Sequence, residues 1–182
     1  MAPFYTGQGD FGDTGYLGEG RISKTSLRIE AVGSVDEATS AIGLARALSQ
    51  SEKTRSTLLH VQKKLYFLMT ELSVDPAVAG KFDKIQQEDV GWLETQIETL
   101  ENSVVLPRDF ILPGESQASG ALALARTVVR RAERRTIALF EANGFEKPVL
   151  IAYLNRLSSL LFILEVYETY LSGRSLQIAK EE

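Results

Sequence analysis

Cysteine is absent from the 182 residues, which removes disulfides, thiolate chemistry and zinc–thiolate sites from consideration. Histidine occurs once, at His60. A histidine-based triad or a multi-histidine metal site therefore has no material to work with. Excess positive charge is also missing: 20 Lys and Arg stand against 24 Asp and Glu, for a net charge of −4. A general nucleic-acid binder is usually basic overall, so nucleic acid is not an expected partner. The opening Met1-Ala-Pro-Phe-Tyr-Thr-Gly7 has no basic segment followed by an apolar run. It does not read as a secretory signal, and a cytoplasmic location is expected. A membrane span needs about 20 uninterrupted apolar residues. The run Val149–Leu164 is broken at its middle by Asn155-Arg156, so no membrane is expected either. No stretch alternates apolar and polar residues for long enough to make a convincing strand.

What the chain does have is helical periodicity. Apolar residues recur at spacings of three and four in five stretches, at about residues 28–49, 52–74, 86–101, 116–142 and 148–171. Ala31, Val35, Ala38, Ile42 and Ala45 mark the first. Leu58, Val61, Leu65, Leu68 and Leu72 mark the second. Val90, Leu93, Ile97 and Leu100 mark the third, with Trp92 beside them as packing. Leu122, Ala125, Val129 and Ala132 mark the fourth, which should stop at Asn143-Gly144. The fifth is apolar nearly all round and reads as the buried centre of a bundle. With 44% hydrophobic residues and short links, the expected fold is all-α, a five-helix up-and-down bundle. Residues 1–182 are expected to form one domain: a glycine-rich arm over 1–25, the bundle over 26–172 and a polar tail over 173–182.

Two segments could hold an anion. Tyr5 to Gly15 has four glycines and two threonines in eleven residues, followed by Arg21 and Lys24. Glycine lets backbone N–H groups crowd round a phosphate. The Gly-Lys-Ser/Thr ending of a Walker A loop is missing, and a plain N-terminal arm reads equally well. The second segment, Arg126 to Arg135, is half arginine. A helix turns about 100° per residue, so Arg126, Arg130 and Arg134 form one stripe, each roughly 40° round from the last. Such planar forks suit phosphate or carboxylate. The competing reading is a bundle whose arginines pair with carboxylates. Asp36 and Glu37 lie off the core stripe and read as a solvated face. Phe110 sits in a loop and reads as an anchor tucked into the core. Asn155, on an apolar helix, needs partners and either ties helices together or reaches a ligand. No protein nucleophile or close carboxylate pair stands out, which favours chemistry driven by positioning and charge stabilisation.

Three blocks together resemble the PduO-type ATP:cob(I)alamin (corrinoid) adenosyltransferases. They are Tyr5-Thr6-x-x-Gly9-Asp10-x-Gly12-x-Thr14 with Arg21-x-Ser23-Lys24; Gly33-Ser34-Val35-Asp36-Glu37; and Arg126 to Arg134 followed by Tyr153-Leu154-Asn155-Arg156-Leu157-Ser158. The resemblance implies transfer of the 5′-deoxyadenosyl group of ATP to the cobalt of a reduced corrinoid (cobalamin), assisted by magnesium on the ATP phosphates. It implies a homotrimer with active sites between subunits, and suggests a corrinoid reductase and an adenosylcobalamin-dependent enzyme as further partners. By position, it makes Thr6, Gly7, Gln8, Gly9, Thr14, Gly15 and Lys24 ATP contacts from the arm. Arg130, Arg131, Glu133, Arg134 and Asn155 become ATP contacts from the bundle. Arg130 and Phe110 become catalytic, with Phe110 packed on the corrin, and Asp36 and Arg126 become an intersubunit salt bridge. The alternative is a non-catalytic nucleotide- or corrinoid-binding bundle that carries adenosylcobalamin. Ala38, Thr39 and Ser159 depart from the family's usual Leu-Asn and Asp.

Overall fold

The computed structural model describes residues 5–17, 20–74, 82–144 and 147–180. Its five helices are α1 (Leu27–Leu48), α2 (Glu52–Ser73), α3 (Gln87–Glu101), α4 (Gln117–Asn143) and α5 (Pro148–Leu171). Each begins and ends where local chemistry requires. Ser26, Ser51 and Ser116 accept hydrogen bonds from the N–H groups of Ile29, Thr54 and Ser119, satisfying donors that the first helical turn leaves open. Pro148 opens α5, where a missing N–H costs nothing. Gly144 closes α4 in the left-handed region at φ 59°, a conformation that side chains with a Cβ resist.

The helices alternate in direction. Their neighbours in space, however, are not all their neighbours in sequence. α1 packs on α2 and α4, α4 on α1 and α5, and α5 on α4 and α3. The links 74–86 and 102–116 are long enough to carry α3 across to the far side of α5. α2 and α3 meet only at an edge, where His60 stacks on Trp92 at 4.1 Å and Lys64 pairs with Asp89. His60 is thus half-buried between helices.

The core follows the stripes. Ala31, Val35, Ala38, Ile42 and Ala45 of α1 face Leu122, Ala125, Val129 and Ala132 of α4, and all are fully buried. Small side chains at these positions let the two helices approach closely. α5 supplies Tyr153, Leu154, Leu157, Leu160, Leu161 and Leu164 to the centre. It is long and apolar enough to cross a membrane, yet most of it is covered by the other helices. Burying each leucine contributes about 1.5–3 kcal/mol.

Short strands also form, which periodicity did not show. β1 (Asp13–Gly15) pairs antiparallel with β2 (Arg21–Ser23), and β3 (Ile111–Leu112) pairs antiparallel with β4 (Gln177–Ile178). Two or three residues are too few for alternation to register in sequence. The first pair folds the arm into a hairpin. The second ties the Phe110 loop to the segment after α5, where Ala179 N–H donates to the Phe110 carbonyl at 2.8 Å.

One polar knot joins α2, the link to α3 and the start of α5. The Lys147 ammonium pairs with Glu71 and Asp83. The Glu71 carboxylate, almost wholly buried, also accepts the N–H groups of Lys84 and Ile85 at 2.7 and 2.6 Å. Glu71→Ala would leave the ammonium with Asp83 alone and strand two backbone donors. It should cost about 2–3 kcal/mol in urea unfolding, with the native helical circular dichroism retained at low urea.

Candidate functional site

α4 lies between two neighbours, and its arginines divide accordingly. On the α1 side Arg131 pairs with Glu37, and Arg135 lies 4.0 Å from Glu30. On the α5 side Arg126 rests over the Phe162 ring at 6.0 Å. Its Nε is buried without a hydrogen-bond partner. Arg130 and Arg134 project from the open face between these flanks, and both are exposed. Neither makes an ion pair among the described residues. The carboxylate-pairing reading therefore holds for Arg131 and Arg135 but not for Arg130 and Arg134. Arg131, named as a nucleotide contact by resemblance, is engaged by Glu37 within the protomer.

Beside this open face runs a hydrogen-bonded chain across three helices. Asn155 Nδ2 donates to Glu133 Oε1 at 2.9 Å. Arg156 Nη1 donates to Asn155 Oδ1 at 2.9 Å, and Arg156 Nε donates to Glu94 Oε1 at 2.9 Å. Asn155 thus ties α4, α5 and α3 together through its neighbours. It also lines a cavity of about 480 Å³ with Glu133, Ile137, Phe140, Ile151 and Arg156. A polar end and apolar walls suit a nucleoside. A second cavity, of about 590 Å³, adjoins it across Arg156 and is lined by Glu94, Glu98, Arg126, Arg130, Ser159 and Phe162.

A third cavity, of about 340 Å³, lies under the loop that carries Phe110. Arg108, Asp109, Phe110, Arg126, Phe162, Glu165 and Lys180 form its walls. Phe110 is 87% exposed, so it is not the buried loop anchor that its apolar side chain suggests. Held by β3 and β4, it presents a bare ring at the cavity lip. Arg126 and Phe162 form the wall shared with the second cavity. Glu165 is only 3% exposed. Burial pushes its carboxyl up to about 7, with Arg126 pulling the other way.

The arm is built round its own cations. Arg21 clasps the Asp13 carboxylate with two hydrogen bonds, at 2.9 and 2.8 Å, and reaches the Gln8 carbonyl at 2.7 Å. The clasp holds the Asp13 carboxyl below the usual carboxylate range. Lys24 Nζ donates to the Gly9 carbonyl at 2.6 Å. Gly7 and Gly12 turn the loop at φ 68° and 83°. Thr6 Oγ1 accepts the Gln8 N–H at 3.4 Å, and Thr14 and Gly15 lie in β1. The hairpin docks on the end of α2, where Leu17 N–H donates to Ser73 O at 3.1 Å, and Arg28 at the start of α1 donates to the Leu72 and Val74 carbonyls there. This brings Thr6, Gly7, Gln8, Gly9 and Lys24 together in one loop at the α1–α2 edge. Asp36 is exposed on α1, while Arg126 faces α5, and the two do not pair within a protomer.

Sequence reasoning passed over Arg156, Glu94, Phe162 and Glu165. Arg156 stands out only as part of the break it shares with Asn155 in the apolar run, and Glu94 and Phe162 belong to periodic stretches and carry no separate signal. Glu165 does: it is an acid inside the apolar run Phe162-Ile-Leu-Glu-Val166, which a bundle core tolerates only for a reason.

The sequence profile of the cobalamin adenosyltransferase family matches residues 4–168. A corrinoid adenosyltransferase of Bacillus subtilis is 41% identical, covering 87% of this chain and 82% of its own. A cobalamin adenosyltransferase of Cupriavidus metallidurans is 42% identical, covering 90% and 86%. Among solved structures, a variant PduO-type ATP:corrinoid adenosyltransferase from Lactobacillus reuteri, complexed with cobalamin and ATP, superposes with a TM-score of 0.90 at 32% identity. That alignment covers 98% of this chain and 97% of the other. An all-α bundle, an unpaired arginine face and these relatives lead to one conclusion: the chain belongs to the cobalamin adenosyltransferase family.

Proposed function

We propose that the protein transfers the 5′-deoxyadenosyl group of ATP to the cobalt of a reduced corrinoid, releasing triphosphate. The observation that carries this is the pair Arg130 and Arg134, free of ion pairs among the described residues and set beside a nucleoside-sized cavity. The cobalt lone pair attacks C5′, the C5′–O bond breaks, and its electrons leave with the triphosphate. No protein nucleophile is required. The protein's contribution is to hold C5′ towards cobalt and to stabilise charge on the leaving group.

In this reading Arg130 and Arg134 neutralise the departing phosphates, and Glu133 and Asn155 hold the nucleoside. The arm, through Thr6, Gly7, Gln8, Gly9, Thr14, Gly15 and Lys24, wraps the triphosphate. Lys24 would exchange the Gly9 carbonyl for a phosphate oxygen. Magnesium would arrive on the ATP phosphates, since no group of three or more acidic or histidine side chains among the described residues is placed to hold a metal. Phe110 would lie against the corrin where a lower ligand would otherwise sit. That favours the ligand-free cobalt, which is easier to reduce.

A homotrimer completes the site. The arm docks at the α1–α2 edge, whereas Arg130 and Arg134 face outwards from α4, so one subunit's arm would cover the next subunit's arginines. Asp36 and Arg126, apart within a protomer, would meet across that interface. A cytoplasmic reductase that delivers reduced corrinoid, and an enzyme that consumes adenosylcobalamin, are the partners this chemistry calls for.

Anaerobic assay with ATP, magnesium and chemically reduced cobalamin should give the light-sensitive spectrum of an alkylcobalamin; its absence would refute the transferase reading. Arg130→Ala should lower kcat on the order of 10²–10³-fold with an unchanged melting temperature, because the side chain is exposed and unpaired. Phe110→Ala should lower kcat/KM for the corrinoid and leave KM for ATP unchanged. A proportionate rise in both KM values would place Phe110 outside the corrinoid site.

A further inference from the structure

Arg156 stands in the walls of two cavities, the nucleoside-sized one and the one beside it. Its guanidinium is divided between two acceptors. Nε donates to Glu94 Oε1 on α3, and Nη1 donates to Asn155 Oδ1, each at 2.9 Å. Asn155 Nδ2 passes the chain on to Glu133 Oε1 on α4, again at 2.9 Å. A carboxamide has two N–H donors and a carboxylate has two oxygens. One Nδ2 proton and the second Glu133 oxygen are therefore left to meet a ligand in the cavity.

The order of groups along α4 says which part of a nucleotide they would meet. Arg130, Glu133 and Ile137 follow one another at intervals of about one turn, and Phe140 continues the apolar wall with Ile151 of α5. A base fits the apolar end and phosphates fit the arginine end. The ribose, whose hydroxyls both give and accept hydrogen bonds, then falls between them at Glu133 and Asn155.

We propose that Arg156 is a positioning residue for the nucleoside and acts through Asn155. The bond to Glu133 orients the Asn155 carboxamide only relative to Glu133, and these two half-buried side chains could swing together. Arg156 removes that freedom. It takes the carboxamide oxygen and is itself held by Glu94 on a third helix, so donor and acceptor are fixed to the frame of the bundle. A planar guanidinium serves both acceptors at set angles, which a single ammonium cannot do. Groups already in place bind a ligand without a further ordering cost. The Arg156–Glu94 pair is 44% and 45% exposed, so it adds little to the stability of the fold. Its effect is on where Asn155 points. This rests on the nucleotide reading of the cavity.

The experiment is a double-mutant cycle on equilibrium ATP binding to the full chain, with melting temperature measured alongside. Arg156→Gln should weaken ATP binding roughly tenfold at an unchanged melting temperature. Glu94→Ala, which frees Arg156 from α3 without touching α5, should weaken it in the same direction and by less. Asn155→Ala should also weaken binding, and adding Arg156→Gln to it should cost nothing more. If Arg156→Gln melts early, Glu94→Ala takes its place in the same cycle. Wild-type affinity in the folded Arg156→Gln variant would overturn the proposal. So would losses that add in the double variant, since Arg156 would then act on ATP without Asn155. Failure of the wild type to bind ATP would overturn it together with the transferase reading. Wild-type turnover in the spectral assay, with ATP affinity unchanged by Arg156→Gln, would spare that reading and remove Arg156 alone.

Discussion

The site depends on a single constraint: α4 must bury one face against α1 and α5 while carrying five arginines in ten residues. Guanidinium groups cannot enter an apolar core unpaired, so each is sorted by its angle round the helix. Leu122, Ala125, Val129 and Ala132 take the buried arc. Arg131 and Arg135 emerge towards α1 and meet acids there. Arg126 emerges towards α5 and meets an aromatic ring. The arc pointing away from both neighbours leaves Arg130 and Arg134 without an ion-pair partner among the described residues. The packing of the bundle, rather than any binding loop, produces the free cationic face.

The same packing explains what could be read in advance. Helix positions were legible because each stripe is long and regular, and serine caps and Gly144 mark the ends chemically. The angular grouping of Arg126, Arg130 and Arg134 was legible for the same reason. Which arginines are neutralised was not, because Glu37 and Glu30 lie 94 and 105 residues away in the chain and only the α1–α4 crossing brings them near. The order of helices in space was also hidden. Links 74–86 and 102–116 permit α3 to lie against α4 or beyond α5, and the packing of α3 on α5 decides between them. Phe110 misled as an apolar loop residue because its exposure is enforced by backbone pairing with Gln177–Ile178, a contact between distant segments.

The arm shows a related principle. Its cations satisfy the loop's own acceptors: Arg21 holds Asp13 and the Gln8 carbonyl, and Lys24 holds the Gly9 carbonyl. A loop with glycines at positive φ would otherwise sample many shapes. Pinned from within, it is held in one shape, and in the proposed role an anion would bind by exchange of partners rather than by ordering a free chain.

The pairing of β3 with β4 has a consequence for synthesis. All five helices precede Gln177–Ile178 in the chain, and each has its packing partners once α5 has been made. The loop bearing Phe110 does not, since the strand that fixes it emerges only afterwards. A nascent chain can therefore complete its core and its arginine face while the lip of the Phe110 cavity is still unset. The last part of the bundle to acquire its shape is the part that the proposed chemistry places against the corrin.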